Sequence, residues 1–163
     1  MSYIKIAFFV EGYTEQQFVR NILIEIFGIK KIAIEVQEVK GGNKVSTSYT
    51  KIATANETDT TKYFVLVYNC NGDSSIKSYI LDQRNNLIKA GYSKVIGLRD
   101  VYPDITRAEI SKLRDGLKYG VPQKDLPISF VLSIIEIEAW FLAEEFHFSK
   151  INEKLTFEHL WEQ

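Results

Sequence analysis

The stretch that most constrains this chain is Tyr3–Val10, a nearly unbroken apolar run that ends on Glu11-Gly12 and passes at once into a helical pattern. Apolar residues without alternation mark a strand covered on both faces, as in a parallel sheet. Glu11 then stands at the carboxyl end of that strand, where open α/β sheets place their ligands. Thr14 with Gln17 reads as a capping box, and Phe18, Val19, Ile22, Leu23 and Ile26 form one apolar helical stripe. A carboxylate is thereby held on a sharp strand-to-helix turn, with Glu15 in the first helical turn. Two readings stay open here: a functional pair, or a strand end and an acid that complements the helix dipole.

The rest of the chain repeats the alternation. Ile32, Ile34 and Val36 alternate with Ala33, Glu35 and Gln37, which predicts a half-buried strand near a sheet edge. Lys40-Gly41-Gly42-Asn43-Lys44 reads as a polar turn, and residues 44–58, rich in Ser, Thr and Ala, give a weak helical expectation. Lys62–Tyr68 is a second strongly apolar strand, running into Asn69-Cys70-Asn71-Gly72-Asp73. A helix follows with Ile76, Tyr79, Ile80 and Leu87, closed by Gly91, and Asp73 is placed to cap it. Lys94–Leu98 is a short strand ending on Arg99 and Asp100. Thr106 with Glu109 caps a helix carrying Ile110, Leu113 and Leu117, stopped by Gly120-Val121-Pro122. Ile128–Ile135 is the last strand, and Glu136, Glu138 and Trp140 open another helical run. This order predicts an α/β fold, a Rossmann-like, mostly parallel sheet flanked by helices.

One domain over residues 1–163 is expected, with 144–163 as a C-terminal helical extension. The pattern from Leu155 reaches Gln163 with no glycine or proline stop, which leaves open whether the natural chain continues. The 45% hydrophobic content supports a sizeable core. A net charge of −1 gives no global basic field of the kind that announces a nucleic-acid binder, although a local patch is compatible with it. The single cysteine, Cys70, forms no internal disulfide and suits a reducing compartment. No apolar run approaches the roughly 18–20 residues of a membrane span, and the N-terminus has no signal-peptide layout. A soluble, cytoplasmic protein without a membrane partner is expected.

Acidic or amide residues end several strands: Glu11, Asn69 to Asp73, Asp100 and Glu136. In a parallel sheet these ends share one edge. Carboxylates that converge there repel one another unless a hard cation neutralises them, and Mg²⁺ or Mn²⁺ takes oxygen ligands of this kind. Such an ion suits phosphoryl transfer. Arg99 offers a guanidinium to a phosphate or, equally, a salt bridge to Asp100 or Glu136. His147 and His159 lack the spacing of a zinc site or a triad. No histidine lies near Cys70 in sequence, which argues against a thiolate nucleophile.

The motif Val10-Glu11-Gly12-Tyr13-Thr14-Glu15, followed by an amphipathic helix, resembles the opening motif of TOPRIM domains, the topoisomerase–primase module. Ile96–Pro103 and Glu136–Ala143 resemble blocks of a bacterial TOPRIM-like family related to the OLD-type nucleases associated with phage defence. The resemblance spans roughly residues 4–145. It implies divalent-metal-dependent phosphodiester hydrolysis on DNA or RNA, a nucleic-acid partner and a place beside an ATPase subunit. By the same resemblance Glu11 is a metal ligand or general base. Asp73 and Asp100 hold the ion with Asn69 and Asn71, Glu15 and Glu136 serve a second ion or the water, and Arg99 steadies the phosphate. The chain departs from the family at Asn69 and Asn71, which stand where a TOPRIM domain has an Asp-x-Asp pair. An amide oxygen ligates Mg²⁺ without adding charge. That departure motivates a second expectation, a catalytically degenerate module that works by binding nucleic acid or protein. A nucleotide-hydrolysing enzyme is a third and weaker one, since no Walker-type motif accompanies it.

Overall fold

The computed structural model describes residues 3–42, 45–72, 76–101 and 105–134. The elements run β1 (Ile4–Val10), α1 (Tyr13–Phe27), β2 (Ile32–Gly42), β3 (Val45–Ala53), β4 (Tyr63–Asn69), α2 (Ile76–Lys89), β5 (Lys94–Asp100), α3 (Ile110–Lys118) and β6 (Ile128–Ser133). A short 3₁₀ turn, Arg107–Glu109, precedes α3. The six strands form one sheet in the order β3-β2-β4-β1-β5-β6. Every neighbouring pair is parallel except β2 with β3. This is the α/β class with a mostly parallel sheet that the alternation of apolar runs and helical stripes predicts.

β1 lies between β4 and β5, so both its edges are paired, and Ala7, Phe9 and Val10 have no exposed surface. Its even-numbered residues Phe8 and Val10 pack with Val19 and Leu23 of α1 and with Val65, Val67 and Leu98. Its odd-numbered residues Ala7 and Phe9 pack with Ile76, Ile80 and Leu87 of α2 and with Val95. The two helices thus cover opposite faces, as the period-2 alternation of a strand requires. The connection through α1 carries the chain from β1 to β2, and that through α2 carries it from β4 across to β5. The direction of winding therefore reverses at β1, and a crevice opens at its carboxyl end. Gly97 lets α2 approach closely. A Cβ there would lie 2.9 Å from Phe130 Cδ1 and 3.1 Å from both Ile76 Cγ2 and Ile80 Cδ1.

Three expectations are corrected. Residues 45–53 form a strand, β3, antiparallel to β2, in place of the weak helix. Val45, Thr47, Tyr49, Thr50 and Ile52 are β-branched or aromatic, and pairing along β2 outweighs a weak helical tendency. The Gly41-Gly42 turn is the start of this hairpin. Gly41 has φ +98°, and a Cβ on it would collide with the Ser46 carbonyl, so the reversal excludes any other residue there. β2 is longer than predicted and sits one place inside the edge, because β3 covers it. The third correction concerns the start of α1. The helix begins at Tyr13 with Gly12 at its cap, and Glu15 Oε2 accepts the Gly12 N–H at 2.9 Å. The acid three residues beyond the cap reaches back, so Thr14 and Gln17 lie inside the helix. The second predicted box is present: Thr106 N and Oγ1 donate to Glu109 Oε2 at 3.2 and 2.7 Å. These bonds hold the Glu109 carboxyl below its usual range. Ile135, the Glu136–Ala143 run and the 144–163 extension lie outside the described residues. Among the described residues no helix is long and apolar enough to cross a membrane.

Candidate functional site

The turn after β1 ties three strand ends together. Val10 O accepts the Cys70 N–H and Glu11 O accepts the Gly72 N–H, each at 2.9 Å, which extends the β1–β4 ladder past the strands. On the other side Glu11 Oε1 accepts the Asp100 N–H at 2.6 Å. A charged acceptor on a backbone donor makes a strong bond of this kind. Glu11 and Asp100, two of the acidic strand ends of the sequence reading, are therefore neighbours at the reversal point of the sheet.

Asp100 and Arg99 do not act from the same side. Leu98 packs on the α1 face, whereas Val95 packs on the α2 face, and the side chains of β5 alternate. Asp100 accordingly belongs to the α1 face and Arg99 to the α2 face. Asp100 is in register with Ser133 of β6, and Val101 N donates to Ser133 O at 2.8 Å. Ser133 is fully buried, and its Oγ has no hydrogen-bond partner among the described residues.

The two asparagines are held by a network of their own. Asn69 is 7% exposed. Its Nδ2 donates to Gln16 Oε1 at 3.1 Å, and its Oδ1 accepts the Asn71 N–H at 3.2 Å. Asn71 adopts φ +52°, a left-handed conformation that asparagine tolerates better than most residues. Its Nδ2 donates to Glu38 Oε1 at 3.3 Å and to Val39 O at 3.1 Å. Both amides thus use their N–H groups, which an aspartate lacks. The asparagines are required by this turn, independently of any ion.

Glu15 is only 6% exposed, and one carboxylate oxygen serves as the cap of α1. Cys70 is buried, and burial pushes its thiol up to about 12. It is not a thiolate at neutral pH, in agreement with the sequence reading. Asp73 and Glu136 lie outside the described residues, as do Glu138, Trp140, His147 and His159.

Two participants escape sequence reasoning. Gln16 shares the 16, 19, 23 spacing of the buried face of α1, so an amide on an apolar stripe was the available signal. Glu38 is in register with Asn69 on the neighbouring strand. The Lys40 ammonium at 2.8 Å and the Asn71 amide lower its carboxyl below the usual range. Its place is invisible without knowing that β2 extends that far.

Among the described residues no group of three His, Cys, Asp or Glu side chains is arranged to hold a metal ion. Among the described residues the donors at the crevice are Glu11 and Asp100. Mg²⁺ is commonly bound by one or two carboxylates together with water and substrate phosphates, and this pair fits that mode. No family model, curated protein or solved structure matches this chain.

Proposed function

We propose that the crevice at the carboxyl ends of β1, β4 and β5 is a divalent-metal-dependent phosphodiesterase site acting on nucleic acid, in a domain of the TOPRIM type. The observation that carries the reading is the 2.6 Å bond from Asp100 N–H to Glu11, which brings acids from two strands to the reversal point of the sheet. The Val10–Glu15 motif supports the same reading. Glu11 and Asp100 would hold Mg²⁺ or Mn²⁺. When bound, such an ion polarises a phosphoryl oxygen and lowers the pKa of a coordinated water. Glu11 is fixed through one oxygen, so its position does not depend on the ion. Arg99 belongs to the α2 face, opposite Asp100, so this reading gives it no oxygen of the phosphate held by the pair.

The network around Asn69 and Asn71 favours a second reading, a module that binds nucleic acid or protein without cleaving. These amides are occupied in holding the turn, so the charge of an Asp-x-Asp pair is missing from it.

Calorimetry with Mn²⁺ and Mg²⁺ on the natural chain, Glu11→Gln and Asp100→Asn separates the two. Binding that both substitutions weaken, with metal-dependent cleavage lost in Glu11→Gln, is the expected result. A folded protein that binds neither ion refutes catalysis and leaves the binding module. Full cleavage by Glu11→Gln refutes the assignment of Glu11.

A further inference from the structure

A second cavity lies away from the strand-end crevice, on the α1 side of the sheet, between α1, β2 and the segment leaving β3. Its volume is about 340 Å³, within the range of small-ligand sites. Its floor is Ile24, Ile29, Ile32, Ile34 and Val36, all apolar. Its polar lining is Gln16, Gln17 and Arg20 from α1, with Thr54 and Asn56 opposite, and no acid of the described residues reaches it.

The polarity is arranged along the long axis. Gln16, Gln17 and Arg20 come from the amino half of α1, whereas Ile24 and Ile29 lie at or beyond its carboxyl half. From Gln16 to Ile24 the helix advances about 12 Å. Ile32 to Val36 of β2 advances about 13 Å beside it. Val36 pairs with Ala53, so the polar end of α1 faces the end of β3. The slot has a cationic end at Arg20 and an apolar floor leading away from it.

Among the described residues Arg20 is the only charged group in the lining. It makes no ion pair among the described residues, and its Nη1 has one long hydrogen bond, 3.3 Å to Asn21 Oδ1. A guanidinium over an acid-free apolar slot selects an anionic head with an apolar body. We infer that this cavity binds a medium-chain aliphatic carboxylate, its head on Arg20 and its chain over Ile24, Ile32 and Ile34. The inference draws nothing from the strand-end reading and survives if that reading fails.

The test is titration of the full ¹⁵N-labelled chain with octanoate, followed by amide shifts, with octyltrimethylammonium as the opposite-charge probe. Saturable shifts at Gln17, Arg20, Ile34 and Thr54 are expected. The affinity should fall about tenfold or more in Arg20→Gln, since one charge-assisted contact is lost. It should also fall in Thr54→Trp, which fills the slot from its exposed side. Both positions are exposed, and circular dichroism verifies that each variant folds. The inference is overturned if octanoate gives no saturable shifts or if octyltrimethylammonium binds as tightly. It is overturned equally if Arg20→Gln binds octanoate unchanged, or if the shifts centre on Glu11 and Asp100.

Discussion

Replacing Asn69 by aspartate places a carboxylate at a buried strand end, and the structure predicts that it destabilises the protein. Asn69 is 7% exposed, and its Nδ2 donates to Gln16 Oε1 at 3.1 Å. The substitution sets two oxygens against each other at that distance. A lost buried pairing of this kind costs about 1–3 kcal/mol. Gln16 can turn its amide to donate, and the Asn71 N–H bond strengthens by about 1 kcal/mol on meeting a charged acceptor. Against these gains stands the desolvation of a carboxylate, which raises its folded pKa. A net loss of about 2 kcal/mol at pH 7 follows, or about 4–8 °C in Tm for a chain of this size. The sign with pH is fixed. A carboxyl with a raised folded pKa binds its proton more readily in the folded state. The penalty is therefore absent below the unfolded value of about 3.9 and grows as pH rises through the folded one. Urea unfolding at pH 7 and at pH 4, compared with the natural chain, measures it at constant m. Equal midpoints for variant and natural chain at both pH values refute the assignment of the Asn69–Gln16 pairing. The same variant probes the ion site. Mg²⁺ at about a hundred times its Kd adds about 2.7 kcal/mol if it binds only the folded state. Stabilisation by Mg²⁺ that is larger in Asn69→Asp than in the natural chain marks the strand end as competent for metal.

Gly97→Ala inserts a methyl against Phe130, Ile76 and Ile80, and overpacking of this kind costs about 1–3 kcal/mol. Thermal unfolding checks it, and an unchanged Tm contradicts the close approach of α2. Cys70, with its thiol pushed up to about 12 by burial, should resist alkylation at pH 8 in the native protein and react once urea unfolds it. Rapid labelling of the native chain contradicts that burial. Gly41→Ala should lose about 1–3 kcal/mol through its positive φ alone, with the clash at Ser46 in addition. A midpoint equal to that of the natural chain refutes the hairpin geometry.

The parallel core was legible because burial on both faces leaves a direct trace. β1 and β4 are runs of apolar residues without alternation, and their faces divide between α1 and α2 as the period-2 rule demands. The stops at Gly91 and Gly120 were legible too, since each has a positive φ that glycine adopts at little cost. β3 was not. Its Ser- and Thr-rich residues carry a weak local preference, and what makes them a strand is the ladder offered by β2. The cap of α1 shows the same limit. Thr14–Gln17 and Gly12–Glu15 both satisfy the three-residue spacing, and only the path of the chain leaving β1 chooses between them.

The sequence by itself determined the periodicities, and with them the strands of the parallel core, the helices and the acids that end those strands. Those properties are local, set by the alternation of side chains and the reach of a helical turn. The tertiary structure decided the strand order, and with it the neighbours of each strand end. Glu11 meets the Asp100 N–H 89 residues away because β5 lies beside β1. Asn69 meets Gln16 because α1 folds over β4. Arg99 and Asp100, adjacent in sequence, are sent to opposite faces because β5 stays paired with β6 through Asp100 and its alternation is held to the end. Pairings of such separation depend on which ladders close and which faces are covered, and no local pattern of residues encodes that choice.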